Sequence, residues 1–345
     1  MPDKTDFWKK PLAVTQNNFV HKSLSSWAVN IAVGCEHACR FCYVPDVSTR
    51  KLAKNLAEFG VSDPDAEWGE YVLLRPYVPE HFRRTVATAE ATPLDMLNAD
   101  GNRAVMFCTT TDPYQTLKHK DSARQRFLNV SRAAAVRGAL STILNHSTLN
   151  VRILTRSPLA RADFDLMKQF GPRLMFGMSI PTLNNRLAKI YEPKAPAPSQ
   201  RLETLKAAHA YGLNTYVAIA PTYPECDGND IAETMRGVMA ANPLTVFHEP
   251  INIRAENVER IRREGAAHGV TLKTEVFATS ETWAAYAYKQ LREAELAARI
   301  VGLNDRLHLW PDAALGSKKF RATMSGDFDA WLGKYWNRIS EWPKQ

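Results

Sequence analysis

Three cysteines stand on one short segment of the chain, Cys35, Cys39 and Cys42, with spacings of four and three residues. Cysteine thiolates are the ligands that hold iron–sulfur clusters in proteins. Three thiolates on one tight loop would hold a four-iron cube and leave one iron without a protein ligand. That open iron could take a small molecule, so the spacing predicts a metal centre with a free coordination site.

Two other interpretations of these thiols stay open at this point. Structural zinc takes four ligands, usually from two separated pairs, and His37 could be the fourth only by straining the same short loop. The cysteines could also be buried core residues. A disulfide framework is not indicated, because three of the five cysteines fall within eight residues. With no charged and apolar leader in residues 1–20 and no run of ~18 apolar residues, we expect a cytoplasmic protein without a membrane span.

The elements that would position such a loop alternate along the chain. Short β-branched runs predict strands, and amphipathic runs between them predict helices, which is typical of βαβ units with a parallel sheet. The predicted strands are 27–33, 104–109, 151–155, 174–179, 215–220 and 244–250, with 270–277 as a further candidate. The predicted helices are 79–89, 123–136, 161–170, 199–211, 230–241 and 255–268.

Six such units predict an α/β fold, a partial (β/α)6 TIM-like barrel with parallel strands and a helical C-terminal extension. We expect an N-terminal extension over 1–26, the barrel over 27–280 and a helical cap over 281–345. Residues 51–78 are interpreted as an insertion between the cysteine loop and the second unit. In a barrel of this kind, the reactive groups gather at the C-terminal ends of the strands.

Polar residues do follow the predicted strands at those ends. They are Cys108, Thr110 and Asp112 after the second strand, Arg156 after the third, Ser179 and then Glu192 after the fourth, and His248 with Glu249 at the sixth. Because the strand ends meet around one opening, we expect these groups to face a shared ligand.

The CxxxCxxC loop with Tyr43 behind it resembles the radical S-adenosylmethionine (SAM) superfamily. The strand-end motifs from about residue 29 to 230 resemble its spore photoproduct lyase-like branch, often called DNA repair photolyases. The resemblance implies a 4Fe-4S cluster on the three cysteines and S-adenosyl-L-methionine chelated to the open iron. One electron, from a donor such as flavodoxin or ferredoxin, would cleave the cofactor to a 5′-deoxyadenosyl radical that takes a hydrogen atom from the substrate.

The same resemblance implies roles for individual residues. Tyr43 matches an aromatic residue beside the adenine, and Ser179 a serine that contacts the cofactor. Arg156 stands where spore photoproduct lyase has a lysine for the cofactor carboxylate, which an arginine can clamp bidentately. We also assign Thr110, Asp112 and Glu192 to the cofactor side, with Glu192 as a ribose acceptor. Ordinary solvation of strand ends, and for Asp112 a turn, are the alternatives.

One departure concerns the hydrogen-donating cysteine that the lyase carries on its second strand. Alignment on Asp112 puts that place at Thr109, and a one-residue step on a strand turns the side chain to the opposite face. Cys108 is therefore either a small core residue or, if a bulge realigns the strand, the donor. His248 and Glu249 are either a substrate or proton-handling pair or a satisfied structural pair.

The substrate class stays open between DNA and a small molecule or peptide. A net charge of +8 is compatible with an anionic partner such as DNA. The candidate phosphate contacts are Arg75, Arg83, Arg84, Lys118, Lys120, Arg124 and Arg126. The aromatic residues that interleave with them are Tyr77, Tyr114 and Phe127. Basic surface helices look much the same without DNA. A cluster-bearing electron carrier or regulator, the third interpretation, would not need the polar strand ends.

Overall fold

The computed structural model describes residues 3–17, 24–97, 101–322, 324, 326–336 and 342–343. Its strands are β1 (Thr5–Phe7), β2 (Val14–Gln16), β3 (Trp27–Val29), β4 (Ala32–Gly34), β5 (Val72–Leu74), β6 (Ala104–Phe107), β7 (Asn150–Thr155), β8 (Leu174–Ser179), β9 (Asn214–Thr222), β10 (Thr245–Pro250) and β11 (Leu307–Leu309). Its α-helices are α1 (Val44–Val47), α2 (Ala53–Ala57), α3 (Pro79–Glu90), α4 (Ser122–His146), α5 (Phe164–Lys168), α6 (Asn185–Tyr191), α7 (Pro198–Ala210), α8 (Gly228–Met239), α9 (Asn257–Ala267), α10 (Ser280–Val301), α11 (Lys318–Arg321) and α12 (Phe328–Trp336).

The main sheet has eight strands in the order β11-β10-β9-β8-β7-β6-β3-β2. All neighbours run parallel except β2 and β3, which are antiparallel at one edge. The sheet is open, and helices connect successive parallel strands. The prediction of an α/β partial barrel is therefore confirmed, and each of the six predicted strand segments contributes a strand to this sheet.

The two faces of the sheet differ because side chains alternate along each strand. One face packs under the helices and carries Val105, Ile153 and Phe176, which are fully buried. The other faces the barrel interior, where Met106 and Met175 join one apolar cluster. Arg152 pairs with Met106 in register and therefore shares that interior face.

A second sheet of three strands, β1-β5-β4, lies beside the barrel. The single strand predicted over 27–33 is in fact two strands in different sheets, because the chain leaves the barrel after Val29 and pairs with β5 from residue 32. The insertion over 51–78 thus supplies the partner of the strand that precedes the cysteines.

The seventh strand is not where the apolar run suggested. Residues 274–277 form a 3-10 helix, so the strand considered over 270–277 is wrong. A short apolar run does not distinguish a strand from a buried helical turn, and here Phe277 is buried in the core. The strand next to β10 is β11, which comes from the region predicted as a helical cap.

The rest of that region is helical. Helix α10 begins at a Thr279 cap and ends at Gly302. Its Glu295 accepts hydrogen bonds from Trp331 Nε1 at 3.0 Å and Tyr335 Oη at 2.7 Å, which attach α12. The domain boundaries stay a prediction, although β11 joins this region to the sheet. Among the described residues, no helix has both the length and the apolarity to span a bilayer.

Candidate active site

The cysteine loop begins where β4 ends, at Gly34. Gly34 has a φ of +90°, and a Cβ atom there would lie 2.2 Å from the carbonyl oxygen of Tyr71 on the neighbouring chain segment. Only glycine meets both conditions, since it alone adopts positive φ without strain. Cys35 and Cys39 are buried, Cys42 is partly buried, and all are free thiols.

The three thiols lie in one low-dielectric environment. Burial raises the pKa of each thiol, that of Cys39 to about 12, and the charges of Cys39 and Cys42 raise the pKa of Cys35 further. Within the described ranges, no group of three His, Cys, Asp or Glu side chains converges on one metal ion. A four-iron cube does not need such convergence, because each thiolate binds a different iron. The arrangement fits a cluster better than zinc, and His37 Nδ1 lies 3.5 Å from Asp112 Oδ2.

Helix α9 holds the backbone of this loop in place. Arg260 donates hydrogen bonds from Nε to the carbonyl of Arg40 at 3.1 Å and from Nη2 to that of Cys42 at 2.7 Å. Asn257 Nδ2 donates to the carbonyl of Phe41 at 3.2 Å. Three successive carbonyls therefore have donors from one helix. We call Arg260, Asn257 and Asp65 the loop brace.

Asp65, from the insertion, completes the loop brace. It forms an ion pair with Arg260, and both side chains are 1% exposed. Its Oδ2 also accepts from the backbone N–H of Glu256 at 3.1 Å, at the start of α9. The loop, the insertion and α9 are thus joined through one buried ion pair.

Arg156 and Glu192 form a second buried ion pair, next to Cys39. Arg156 Nε lies 2.6 Å from Glu192 Oε1, and Arg201 Nη2 lies 2.5 Å from Glu192 Oε2. Burial opposes the ionisation of Glu192, but the two arginines outweigh it and lower its pKa. Burial also disfavours the Arg156 cation, yet the charges of Cys39 and Glu192 raise its pKa above the ordinary value.

Asp112 organises the strand ends around this pair. It accepts hydrogen bonds from Thr155 Oγ1 at 2.7 Å, from the backbone N–H of Arg156 at 2.8 Å and from that of Tyr114 at 2.8 Å. Thr110 donates its backbone N–H to Asn30 Oδ1 at 2.9 Å. Both predicted cofactor residues are therefore bound to neighbouring protein groups, and their contact with a cofactor stays a prediction.

Tyr43, Ser179 and Glu249 lie around the same opening. Tyr43 Oη donates to the carbonyl of Thr109 at 2.6 Å, and its ring remains 39% exposed. Burial raises the pKa of the Tyr43 hydroxyl, and the nearby charges of Cys42 and Glu249 raise it further. Ser179 Oγ donates to the carbonyl of Ala220 at 3.1 Å. Glu249 is thus on the side of the sheet that faces the cysteine loop.

His248 points the other way. It is fully buried, its Nε2 lies 3.1 Å from Thr222 Oγ1, and Thr222 donates to Gln290 of α10. Burial lowers the pKa of His248 to about 3, so the imidazole is neutral. The structure therefore does not bring His248 and Glu249 together as a pair, because adjacent strand residues face opposite sides. Their catalytic roles stay a prediction.

Cys108 follows directly after β6 and is buried, near the backbone N–H of Ile31. Burial raises the pKa of its thiol, which disfavours the thiolate. The structure keeps the thiol in the protein interior, and its role as hydrogen donor stays a prediction. Thr109, at the aligned place, is held by Asn30, whose Oδ1 accepts its backbone N–H at 2.8 Å.

Three of the seven cations considered for DNA form ion pairs, among them Lys118, whose Nζ lies 3.9 Å from Glu36 Oε1. Arg124 forms an ion pair with Asp6, and Arg83 lies 2.9 Å from Glu80. Tyr114 is buried and donates to Asp163, so it cannot stack on a base. Phe127 is 53% exposed, with the Arg124 guanidinium 5.5 Å from its ring centre. Arg84, Lys120 and Arg126 are exposed, so these three cations remain of the predicted pattern together with Phe127.

The residues at the opening of the barrel were predictable from the sequence, but the residues that hold them in place were not. The loop brace carries no local signal, because the groups that it joins lie far apart in the sequence. Arg260 and Cys42 are 218 residues apart, for example. The prediction also missed that Glu192 would form ion pairs with two arginines, although a buried carboxylate requires such partners.

Comparison with known proteins gives a consistent result. The family model described as the Radical SAM superfamily matches residues 29–237. The uncharacterized protein ORF301 of Acidianus two-tailed virus is 31% identical over 256 residues, which cover 72% of this chain and 75% of that protein. A spore photoproduct lyase complexed with dinucleoside spore photoproduct aligns with a TM-score of 0.57 at 12% identity, covering 88% of this chain and 80% of the other. Streptococcus suis SuiB bound to precursor peptide SuiA aligns with a TM-score of 0.53 at 10% identity, covering 90% of this chain and 54% of SuiB.

Proposed function

This chain belongs to the radical SAM superfamily, and on that premise we propose that it cleaves S-adenosylmethionine reductively on a 4Fe-4S cluster held by Cys35, Cys39 and Cys42. The observation that carries the proposal is the position of the three thiols. They lie on one buried loop, beside the Arg156 cation and at the C-terminal opening of the barrel. When bound, the reduced cluster would supply the electron that converts the cofactor to methionine and a 5′-deoxyadenosyl radical.

The residues around the loop would bind and orient the cofactor. Arg156 is kept charged by Glu192, so it is suited to bind the cofactor carboxylate. Tyr43 presents an exposed ring for the adenine, and its hydroxyl is anchored on the carbonyl of Thr109. Ser179 and Glu249 would contact the nucleoside and the substrate. Because Glu192 is fully buried between two arginines, we assign it to positioning Arg156 rather than to the ribose.

The test is formation of 5′-deoxyadenosine by the reconstituted, reduced protein. Wild type should bind about four irons per chain and release 5′-deoxyadenosine with methionine. Cys35→Ala should lose iron and product together. Cys226→Ala, which removes another buried thiol away from the loop, should retain both. Product formation by Cys35→Ala, or equal loss in the two variants, would refute the assignment of the cluster to this loop.

For the substrate, we propose a DNA lesion as the first candidate and a small molecule or peptide as the second. The fold shared with a spore photoproduct lyase and the exposed Phe127–Arg124 pair support the first. The ion pairing of Arg83 and Arg124 with protein carboxylates, and the likeness of the fold to a peptide-bound enzyme, support the second.

Ionic strength separates the two candidates. Binding to duplex DNA through phosphate contacts should weaken steeply as salt increases, and Phe127→Ala should reduce it. If the reconstituted protein binds no DNA at low salt, the DNA candidate fails. Candidate small molecules and peptides are then ranked by how strongly each accelerates 5′-deoxyadenosine formation.

A further inference from the structure

A buried arginine lies deep in the barrel, and no described residue supplies its counter-charge. Arg152 is fully buried in β7, and its Nε donates to the carbonyl of Leu24 at 3.1 Å. Its two terminal nitrogens, Nη1 and Nη2, have no hydrogen-bond partner in the part of the chain that the structure describes. Within the same part, no Asp or Glu carboxylate pairs with it. A guanidinium stays protonated in proteins and is costly to bury unpaired.

Aromatic rings enclose this guanidinium. Its central carbon lies 5.1 Å from the ring centre of Tyr216, 5.9 Å from that of Phe247 and 5.0 Å from that of Trp342. Cation–π contacts offset part of the cost of burial but leave the N–H donors unused. Tyr216 Oη is also buried without a hydrogen-bond partner among the described residues. The terminal nitrogens of Arg152 and the hydroxyl of Tyr216 are therefore donors without described acceptors at the same site.

The site is well separated from the cysteine loop. Arg152 and Arg156 lie four residues apart on the same strand face, or about 13 Å at ~3.3 Å per residue. Arg156 belongs to the loop end of the barrel, and Arg152 to the opposite end. There Trp342, whose Nε1 donates to the carbonyl of Pro172 at 2.8 Å, closes the interior.

The sequence makes room for this arrangement at Gly177. A Cβ atom at Gly177 would lie 2.3 Å from the Tyr216 ring, so the ring crosses the barrel only because this position is glycine. The ring is thereby held next to the Arg152 guanidinium. The next residue on the same face of β9 is Ala218, whose side chain is small and which is in register with Phe247.

We propose that Arg152 and Tyr216 form an anion-binding subsite in the barrel interior, which takes a carboxylate or a small inorganic anion. The two terminal NH2 groups of the guanidinium and the phenol hydroxyl are donors that such an anion accepts well. The anion is either free in solution or carried by a longer molecule that enters past Ala218 from the loop end. The second case rests on the proposed function, since that molecule would be the substrate of the radical reaction.

The test uses the reconstituted full chain at constant ionic strength, with gluconate as the bulky reference anion. Chloride, acetate, butyrate and hexanoate replace gluconate in turn, and the Tm is recorded against concentration. We expect the wild-type Tm to rise with the logarithm of the anion concentration, since the anion binds only the folded protein. Arg152→Met should give a flat response. Arg173→Met, which removes a cation bonded to the backbone carbonyls of Ser147 and Leu149 at the same end of the barrel, should respond as wild type does.

The series of carboxylates distinguishes the two sources. If the site takes a free anion, acetate should bind at least as tightly as hexanoate. A group carried by a longer molecule would gain about fourfold in affinity per methylene from acetate to hexanoate, because each methylene is buried. Tyr216→Phe keeps the charge and should weaken either response severalfold, which gives a second variant if Arg152→Met does not fold.

A wild-type Tm that does not depend on any of these anions would overturn the proposal, as would equal responses in wild type and Arg152→Met. Formation of 5′-deoxyadenosine without substrate should be unchanged in Arg152→Met, because the residue lies far from the cysteine loop. That measurement separates the two proposals. If wild type forms no 5′-deoxyadenosine, the proposed function fails, but the dependence of the Tm on anions still tests the anion-binding subsite.

Discussion

Replacing Arg260 by methionine tests whether the loop brace positions the cysteines. The substitution keeps much of the side-chain volume but leaves Asp65 buried without its counter-charge. It also leaves the carbonyls of Arg40 and Cys42 without their donors. Breaking a buried ion pair by removing one partner costs ~3–5 kcal/mol. At about 2 °C per kcal/mol for a chain of this size, loss of the ion pair alone should lower the Tm by roughly 6–10 °C.

The double variant Asp65→Leu/Arg260→Met separates charge from positioning. With both charges gone, the penalty for the unpaired carboxylate disappears, so most of the ~3–5 kcal/mol should return. The two carbonyls remain without donors in both variants, at about 1–3 kcal/mol each where they stay buried. Both variants should therefore retain less iron after reconstitution and desalting than wild type does.

The control is Arg262→Met, on the same helix. Arg262 is 49% exposed in a surface pair with Glu259, so its loss should change neither the Tm nor the iron content. Thermal unfolding and iron content are measured on all four proteins. A double variant no more stable than Arg260→Met, or one with wild-type iron content, would show that the brace does not act as described.

Two other perturbations give sharp readouts. Gly34→Ala would force a Cβ atom against the Tyr71 carbonyl at positive φ, so we expect at least about 3 kcal/mol of lost stability in urea denaturation. Gly316→Ala should be near neutral, because the nearest atom to its Cβ would be the flexible end of Arg321 at 4.0 Å. Equal effects of the two substitutions would contradict the steric argument. His248 has a pKa lowered to about 3, so the unfolded chain takes up a proton below pH ~6.5 that the native protein does not, and stability should fall as the pH drops, by about 2 kcal/mol at pH 5. His248→Asn should flatten the pH dependence of the denaturation midpoint between pH 5 and 6.5, and an unchanged slope would exclude the buried imidazole as its source.

The sequence was sufficient for the barrel because each parallel strand is an apolar run bounded by a helix. It was insufficient for residues 27–33, where one continuous run changes sheets, since periodicity does not report the partner of a strand. It failed over 270–277 because a short apolar run does not distinguish a strand from a buried helical turn, and β11 was hidden in a region whose composition is helical.

At the opening of the barrel, the types of residue were predictable and their partners were not. Cys35, Cys39, Cys42 and Arg156 follow from spacing and from their place after strands. That Glu192 supports Arg156, and that His248 faces α10, depends on contacts between residues 26 to 68 positions apart. Strand alternation could have separated His248 from Glu249, but the prediction treated the two residues as a pair.

The loop brace bears on when the proposed cluster would be inserted. In a small zinc domain the metal drives folding, because the ligands are disordered without it. Here three consecutive carbonyls of the cysteine loop are held by α9, and no donor in that set is a cysteine. These contacts do not depend on ligation of the cysteines, so the proposed cluster would enter a chain that is already folded. Oxidative loss of its iron would then leave a folded apoprotein ready for repair, and maturation would be a reversible step separate from folding.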